Sequence, residues 1–210
     1  ARREMFHVKH GEKRMRKNEA YSVEITGLTA EGAGVARIDG QVVFVPGVIP
    51  GERCEIRIDH VGRTCAYGSL VRVEKTSEHR VTPECESFGH CGGCVFWHMD
   101  YACELEQKRR RVQDALSRIG GIDFPDLQIT GSESIYGYRN KVQFPVQVQN
   151  GKAVAGFYKA GSHTVIPITD CKIQPGVAKT IRAAVLSWME KENVPAYDER
   201  THTGLVRHIY

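Results

Sequence analysis

The feature that most constrains this 210-residue chain is a set of four cysteines that can share one cation. Cys85, Cys91 and Cys94 lie close together in the run TPECESFGHCGGCVFWH, and Cys171 stands far downstream in PITDCKIQ. Closely spaced thiolates are typical ligands of soft metals, and a loop that contains glycine can fold around the bound ion. The cysteines therefore predict a metal or cluster site that ties residue 171 to the loop.

Four thiolates suit either a tetrahedral zinc ion or a four-iron cluster, and their number alone does not decide between the two. Zinc ribbons generally use two short Cys-x-x-Cys pairs, whereas here one loop supplies three ligands and the fourth is remote. The Cys-x3-Cys-x2-Cys spacing of radical enzymes is absent, because five residues separate Cys85 from Cys91. Gly92 and Gly93 would let loop amides point at cluster sulfides. The spacing favours an iron-sulfur cluster, with zinc as the alternative.

Of the other three cysteines, Cys54 and Cys65 are predicted to be structural thiols. Cys54 falls on the apolar face of a candidate strand, and a free cysteine is often simply buried. Cys65 has no partner at ligand spacing, and Cys103 lies inside a predicted helix beyond the loop. We therefore rank Cys103 below Cys171 as the fourth ligand.

Composition favours a cytoplasmic protein with no membrane contact. No apolar run is long enough to span a bilayer, and residues 1–20 contain no stretch that resembles a signal peptide. Seven cysteines, an odd number, are more typical of ligands and core thiols than of disulfides. Residues 1–20 hold seven Lys or Arg against three Glu, which accounts for the net charge of +4. They are interpreted as a basic tail, either an RNA-gripping arm or a disordered end.

Residues 21–78 predict a small, closed, OB-like β-barrel of five strands. The candidate strands are YSVEITGL, GVARI, QVVFV, RCEIRI and SLVRVE, separated by turns rich in glycine and proline. Such barrels commonly bind RNA by base stacking and phosphate contact, and the predicted contacts are Arg37, Phe44 and Arg63. A β-domain with another kind of partner stays open, because residues 21–77 carry six basic against seven acidic residues.

Residues 79–210 predict an α+β domain with an antiparallel sheet and two helices. A helix over residues 99–119 places Leu105, Val112, Leu116 and Ile119 on one apolar stripe. Strands are predicted over residues 138–149, after the tight turn at 150–151, and over 162–168. A second amphipathic helix covers residues 177–191.

The predicted strand over residues 138–149 suggests an RNA-binding surface. Its polar face carries Arg139, Lys141 and Gln143, and no Asp or Glu occurs between Ser134 and Thr169. Cations and amides without carboxylates suit phosphates and base edges, although an ordinary exposed sheet face is the alternative. The predicted RNA contacts of this domain are Arg139, Lys141, Gln143, Lys159 and His163.

Several segments of the chain match a known family in combination. They are the loop ECESFGHCGGCVFWH, the strand GYRNKVQF, the segment GFYKAGSHTVIPITDCKIQ and the closing HTGLVRHIY. Together they resemble bacterial TrmA-type RNA 5-methyluridine methyltransferases, especially the enzymes that act on 23S ribosomal RNA. The barrel sequence GAGVARIDGQVVFVPGVIPGE resembles the TRAM domain that precedes the cysteine loop in that family. The resemblance covers residues 21–210.

The resemblance implies that Cys85, Cys91, Cys94 and Cys171 hold a [4Fe-4S] cluster and that the partner is structured RNA, with 23S ribosomal RNA favoured over transfer RNA. In the family's chemistry a thiolate adds to uracil C6, C5 then accepts the methyl group of S-adenosylmethionine, and a base removes the C5 proton. Family members carry these groups in a C-terminal Rossmann-like domain.

No counterpart of that domain is recognisable in this sequence. The one glycine-rich stretch, residues 32–34, lies between candidate strands with no helix after it, so it does not predict a cofactor loop. We expect the chain to be an N-terminal part cut before the methyltransferase domain, with no catalytic residue and no activity alone. A free-standing RNA-binding or redox-sensing iron-sulfur protein is the alternative.

Overall fold

The computed structural model describes residues 15–210. Of the predicted basic tail over residues 1–20, residues 1–14 lie outside the described residues. The chain divides into two compact units at Arg80, so that the described part of unit 1 is residues 15–80 and unit 2 is Val81–Tyr210. No helix among residues 15–210 combines the length and the apolar character needed to cross a membrane.

Unit 1 is a single six-stranded sheet. Its strands are β1 (Ala20–Glu24), β2 (Gly27–Leu28), β3 (Gly34–Ile38), β4 (Gln41–Val45), β5 (Arg53–Val61) and β6 (Cys65–Lys75). They lie in the order β1-β5-β6-β4-β3-β2. All neighbouring pairs are antiparallel except β4 and β6, which run parallel.

The prediction of a closed five-stranded barrel is wrong in two respects. The first candidate strand is divided into β1, which pairs with β5, and β2, which pairs with β3. The change of pairing partner takes place at residues 25 and 26. The amide of Ile25 donates to the Glu52 carbonyl, and the amide of Thr26 donates to the Val35 carbonyl. β1 and β2 therefore form the two edges of an open sheet, and no ladder between them closes it.

Alternating burial along the strands builds the core of unit 1. Cys54, Ile56 and Ile58 on β5 are fully buried, whereas Arg53 and Arg57 point to solvent. This alternation was predicted from the sequence and is confirmed. Complete burial of one aliphatic side chain stabilises the folded state by about 1.5–3 kcal/mol before the loss of conformational entropy is counted.

A buried ion pair fastens the end of unit 1 to its sheet. The Arg80 guanidinium donates to both carboxylate oxygens of Glu52, at 2.6 and 2.7 Å, and the amides of Ile49 and Ser77 donate to the same carboxylate. Burial alone would raise the pKa of Glu52, but the hydrogen bonds from Arg80 and Ile49 outweigh it and lower that pKa. The Glu52 carboxylate is therefore ionised inside the protein.

Unit 2 combines a four-stranded antiparallel sheet with two helices. Its elements are helix α1 (Tyr101–Asp114) with a π-helical turn (Ala115–Ile119), strands β7 (Phe144–Gln149), β8 (Lys152–Tyr158) and β9 (Val165–Pro167), helix α2 (Gly176–Lys191) and strand β10 (His208–Ile209). The sheet order is β10-β7-β8-β9. Asn150 and Gly151 both have positive φ in the β7–β8 turn, as the predicted tight hairpin requires.

The long polar strand predicted over residues 138–149 is present only in its second half, as β7. Residues 138–143 do not join the sheet, because the amides of Gly137 and Arg139 donate to the carbonyls of Lys172 and Ile173. The side chains of Gln147 and Gln149 do not form an open polar face either, since they bond to backbone groups beside and on β9.

The apolar stripe predicted on the first helix is largely exposed. Val112 is 47 % and Ile119 is 87 % exposed, and Leu105 and Leu116 are half-buried. Cys103, which the pattern placed off the stripe, is the one buried residue of α1. The core of unit 2 instead forms between α2 and the sheet, around Phe144, Val146, Ala178 and Met189. The predicted helix over residues 177–191 is confirmed as α2.

Candidate metal centre

The cysteine loop is held in place mainly by backbone hydrogen bonds. The amide of Gly92 donates to the Tyr158 carbonyl at 2.9 Å, and Cys91 forms an isolated β-bridge with Lys159. A side chain at Gly92 would press on the backbone of residues 158 and 160, which would have to shift to accommodate it. The loop thus pairs with the chain at the point where strand β8 ends.

The other end of the loop is fixed by the start of α1. The Asp100 carboxylate accepts a hydrogen bond from the Cys103 amide at 2.7 Å, which caps the helix. Further back, the amide of Val81 donates to the carbonyl of the buried His98. Both flanks of the three loop cysteines are therefore anchored within unit 2.

One small cavity in unit 2 is lined by all four predicted ligands. Cys85, Cys91, Cys94 and Cys171 all contribute to its wall. None of them is in a disulfide, and each is partly buried. Apolar side chains such as Phe88, Phe157 and Ile168 complete the lining. Residues that are far apart in sequence are thereby brought to a single enclosed space.

Nearby N–H groups favour negative charge on the cysteine sulfurs. The Gly93 amide donates to Cys91 Sγ at 3.3 Å. The Trp97 side chain acts in the same direction at Cys94, and the backbone amides of residues 173 and 174 do so at Cys171. Hydrogen bonds of this type stabilise negative charge on sulfur and are a common means of tuning metal thiolates. These N–H groups therefore act in favour of the deprotonated form.

Burial acts in the opposite direction. It raises the pKa of Cys91, Cys94 and Cys171, and nearby thiolate charge raises each of these pKa values further. Without a cation the thiols would hold their protons at neutral pH. A bound metal supplies the missing positive charge, so binding and deprotonation are coupled here.

The donor set fits a soft metal or cluster in its chemistry. It consists of four sulfur atoms, three from one loop and one from a distant segment, with N–H donors already in place. Among residues 15–210, however, no three His, Cys, Asp or Glu side chains converge tightly enough to hold a single metal ion. The assignment of the four cysteines as ligands is therefore taken up as a proposal below.

A buried arginine lies close to this cavity. Arg182 of α2 donates to the Thr169 carbonyl at 2.8 Å, and its guanidinium lies 5.5 Å from the centre of the Phe144 ring. Burial lowers the pKa of Arg182, and the negative charge available at Cys171 partly offsets that effect. The sequence pattern does not predict a buried Arg182, because an arginine in an amphipathic helix normally indicates a solvent-exposed face.

The three remaining cysteines do not line the cavity. Cys54 is fully buried in unit 1, as predicted, and burial raises the pKa of its thiol to about 11. Cys103 is buried in α1, and Cys65 is half-buried beside Tyr67.

The predicted RNA contacts of unit 2 are solvent-exposed but do not share one strand face. Arg139 lies at the wall of the cysteine cavity, and Lys159 follows the end of β8. His163 is hydrogen-bonded to Glu199, which lies outside the carboxylate-free segment. Lys141 and Gln143 lie on the irregular segment before β7. The structure thus replaces the predicted polar strand face with separate basic positions.

The predicted contacts of unit 1 include part of an aromatic row. Phe44 on β4 lies against Tyr67 on β6, and Tyr67 lies against His60 on β5, with ring centroids 5.7 and 6.4 Å apart. Arg37 and Arg63 are exposed at other points of the same unit. The sequence analysis missed Tyr67 and His60, although each stands in an exposed position of an alternating strand.

Comparison with known proteins gives three findings. Residues 14–71 match the family described as the TRAM domain. Two uncharacterized RNA methyltransferases are similar over most of the chain: one of Clostridium tetani, 42 % identical over 93 % of this chain, and one of Oceanobacillus iheyensis, 39 % identical over 92 %. The chain spans 42 % of the length of each of these relatives.

The third finding concerns a solved structure, the tRNA (uracil-54, C5)-methyltransferase of Pyrococcus abyssi in complex with S-adenosyl-L-homocysteine. It matches with a TM-score of 0.62 and 20 % identity over 89 % of this chain and 41 % of that one. At this identity the likeness shows a shared fold. The chain therefore contains a TRAM domain and is homologous to RNA methyltransferases.

Proposed function

We propose that this TRAM-containing homologue of RNA methyltransferases is the RNA-recognition and iron-sulfur part of an S-adenosylmethionine-dependent 23S rRNA uridine C5-methyltransferase. The observation that carries the proposal is the 42 % identity to an RNA methyltransferase over 93 % of the chain. The shared fold with a uracil C5-methyltransferase supports the choice of uracil C5 as the modified position. Under this proposal the methyl-transfer machinery lies outside the chain, which is inactive by itself.

The cofactor part of the proposal is that Cys85, Cys91, Cys94 and Cys171 hold a [4Fe-4S] cluster. Its support is the cavity that all four line and the Gly93 amide that donates to Cys91 Sγ. A bound cluster would supply a covalent tie between the loop and the segment at residue 171. Since the loop holds the end of β8 and residue 171 leads into α2, this tie would fix the geometry of unit 2.

The chain's own contribution is to bind and orient the RNA. Arg139, Lys141 and Lys159 present cations on exposed positions of unit 2, where they can contact phosphates. In unit 1 the half-buried ring of Phe44 and the exposed ring of Tyr67 offer faces on which unpaired bases can stack. Phosphate contacts of this kind position a folded RNA and carry little sequence information.

The deciding experiment uses the natural gene product in which this chain occurs. Transcripts of 23S rRNA and of transfer RNA are labelled with tritium at uracil C5 and incubated with S-adenosylmethionine. Replacement of the C5 hydrogen by methyl releases tritium to water, and we expect release from 23S rRNA only. Release from transfer RNA alone would contradict the proposed substrate, and no release from either RNA would contradict the proposed reaction.

The 210-residue chain provides the complementary test. Purified anaerobically, it should be brown, absorb at about 400 nm and bind a 23S rRNA fragment without methylating it. Colourless protein with stoichiometric zinc would contradict the cluster. Methylation by the chain alone would contradict the absence of catalytic residues. A natural gene product that ends at Tyr210 and binds RNA would support the free-standing RNA-binding protein instead.

The basic positions can be tested one at a time. Lys141→Gln should weaken RNA binding on every sequence and lower the slope of log affinity against log salt by about 0.7–0.9 for one lost phosphate contact. Lys191→Gln is the matched control, because Lys191 is a highly exposed lysine at the end of α2. Equal effects of the two substitutions would contradict a specific role for Lys141.

A further inference from the structure

A second hollow in unit 2 shares no residue with the cysteine cavity. It has a volume of about 490 Å³ and lies between strands β7 to β9 and the segment 197–207. Its wall includes Tyr158, His163, Tyr197, Glu199 and Arg207. Of these, only His163 was singled out by the sequence analysis, and it was interpreted there as a basic surface residue.

Two stacked pairs of side chains line the walls of the hollow. Tyr158 and His163 stack with ring centroids 5.4 Å apart and planes inclined by 29°. The guanidinium of Arg207 lies 5.4 Å from the centre of the Tyr197 ring. Such stacked surfaces favour planar ligands, because a flat ring gains the most contact with them.

Between these walls lies a carboxylate held in a fixed position. Glu199 accepts from His163 Nδ1 at 2.9 Å through one oxygen and from Arg207 at 3.2 Å through the other. These two hydrogen bonds, His163 first, lower the pKa of Glu199, so the carboxylate is ionised at neutral pH. Each oxygen keeps a further lone pair, and the Glu199 side chain is still 39 % exposed.

The charges of the hollow are balanced. Asp198 and Glu199 face Arg200 and Arg207, and Asp198 is engaged by the amides of residues 200 and 201. A phosphate would meet two carboxylates here, so the hollow is poorly suited to an anion. A neutral planar group that presents hydrogen-bond donors beside acceptors matches it better.

Among the four RNA bases, guanine has adjacent hydrogen-bond donors next to adjacent acceptors. Its N1–H and N2–H donors can pair with a carboxylate, and the adjacent O6 and N7 acceptors can pair with an arginine. Glu199 and Arg207 are neighbours in direct contact, so they present the acceptor and the donor side by side. Adenine, cytosine and uracil do not offer two adjacent N–H donors followed by two acceptors.

We propose that the hollow between Tyr158, His163, Tyr197, Glu199 and Arg207 binds one unstacked guanine of single-stranded RNA. This inference rests on the proposed RNA-recognition function and adds a base-specific contact to the phosphate contacts described above. Glu199 and Arg207 read the base edge, while the tyrosines and His163 bound its faces.

The test titrates the full chain, kept anaerobic, with guanosine, adenosine, cytidine and uridine 5′-monophosphates and follows binding by two-dimensional NMR. We expect guanosine monophosphate to bind at least about tenfold more tightly than the others and to shift signals of His163 and Glu199. Inosine monophosphate lacks the N2 amine and should bind about tenfold more weakly than guanosine monophosphate. Equal binding of all five nucleotides would overturn the proposal.

Glu199→Gln should lose the preference for guanosine over inosine monophosphate, because an amide cannot accept from both N–H groups in the same way. Glu192→Gln is the matched control, since Glu192 is an exposed glutamate of the same unit next to Lys191. Thermal melting of both variants checks that unit 2 is folded. The inosine comparison on the unsubstituted chain gives an answer even if Glu199→Gln unfolds.

The outcome for the guanine site can be separated from that for the proposed function. If the chain binds a 23S rRNA fragment but shows no guanosine preference, the guanine site is wrong and the RNA-recognition function stands. If the chain binds no RNA at all, the proposed function itself fails.

Discussion

The two units of this chain differ in how they are held together. Unit 1 buries an unbroken apolar core in which Val43, Val45, Ile56 and Ile58 are completely enclosed. In unit 2 large apolar side chains such as Ile119 and Leu205 stay exposed, and residues 81–100 form neither helix nor strand. A segment without helix or strand can depend on a metal link for its order. Unit 1 is ordered by its sheet and its apolar core, whereas we expect the cysteine loop of unit 2 to depend on a bound metal centre.

The largest expected effect comes from removing one ligand of unit 2. Cys171→Ser should lose most of the iron and the absorption at about 400 nm, because one iron loses its thiolate. Unit 2 should then unfold at a lower temperature, which tryptophan fluorescence would report, since both tryptophans, Trp97 and Trp188, lie in unit 2.

Cys65→Ser in unit 1 is the control for that experiment, and it should leave the iron content unchanged. Hydrogen exchange measured by mass spectrometry would follow unit 1 in both variants. A Cys171→Ser protein that kept its absorption and the thermal stability of unit 2 would contradict the dependence of unit 2 on its cysteines.

Within unit 1 the largest effect should come from the core. Ile56→Ala removes a fully buried side chain and leaves a cavity, so it should lower the free energy of unfolding by about 2–5 kcal/mol. Val112→Ala on the exposed stripe of α1 is the matched substitution in unit 2. It should change the free energy of unfolding by less than about 0.5 kcal/mol. Urea unfolding followed by hydrogen exchange would measure both. Similar values would show that burial does not distinguish the units.

Glu52→Gln should destabilise unit 1 by about 3 kcal/mol, because it leaves the Arg80 guanidinium without its charged partner. The pKa of Glu52 is lowered from its ordinary value of 4.5, so the stabilisation is complete above that pH and is lost as the pH falls through the folded-state pKa. Unfolding curves between pH 7 and 3 should therefore converge for the two proteins at the acidic end. A constant difference would argue against the ion pair as its source.

The smallest effect concerns the β7–β8 hairpin. Asn150 has φ of 51°, a left-handed conformation that asparagine tolerates better than alanine. Asn150→Ala should cost about 1 kcal/mol in unit 2 and leave unit 1 unchanged. Thermal melting by tryptophan fluorescence would measure it, and Asn150→Gly, which fits this conformation, should cost less. Equal loss in both variants would point to a side-chain contact instead.

Sequence patterns predicted the strands of unit 1 well because alternation is a local property. In neighbouring residues such as Arg53 and Cys54, the polar side chain marks the exposed face of the strand and the apolar one marks the buried face. Closure of the sheet is not local, since it depends on where residues 25 and 26 turn the chain, and that prediction was wrong.

The failures in unit 2 have the same cause. Residues 138–143 alternate like a strand, but their backbone partners are Lys172 and Ile173, far along the chain. His163 lay in a segment without carboxylates, yet its partner Glu199 comes from another part of the fold. The four candidate ligand cysteines could be predicted because the affinity of a thiol for soft metals depends on the residue type more than on its surroundings. The structure places all four at one cavity.

The buried Arg182 has a consequence for the charge balance of unit 2. In the proposed cluster the four thiolates would together carry four negative charges, and Arg182 places one positive charge near Cys171 in a region shielded from water. A fixed cation nearby stabilises the reduced state of an enclosed redox centre more than the oxidised state. Helix α2, which carries none of the four proposed ligands, would therefore raise the electron affinity of that cluster.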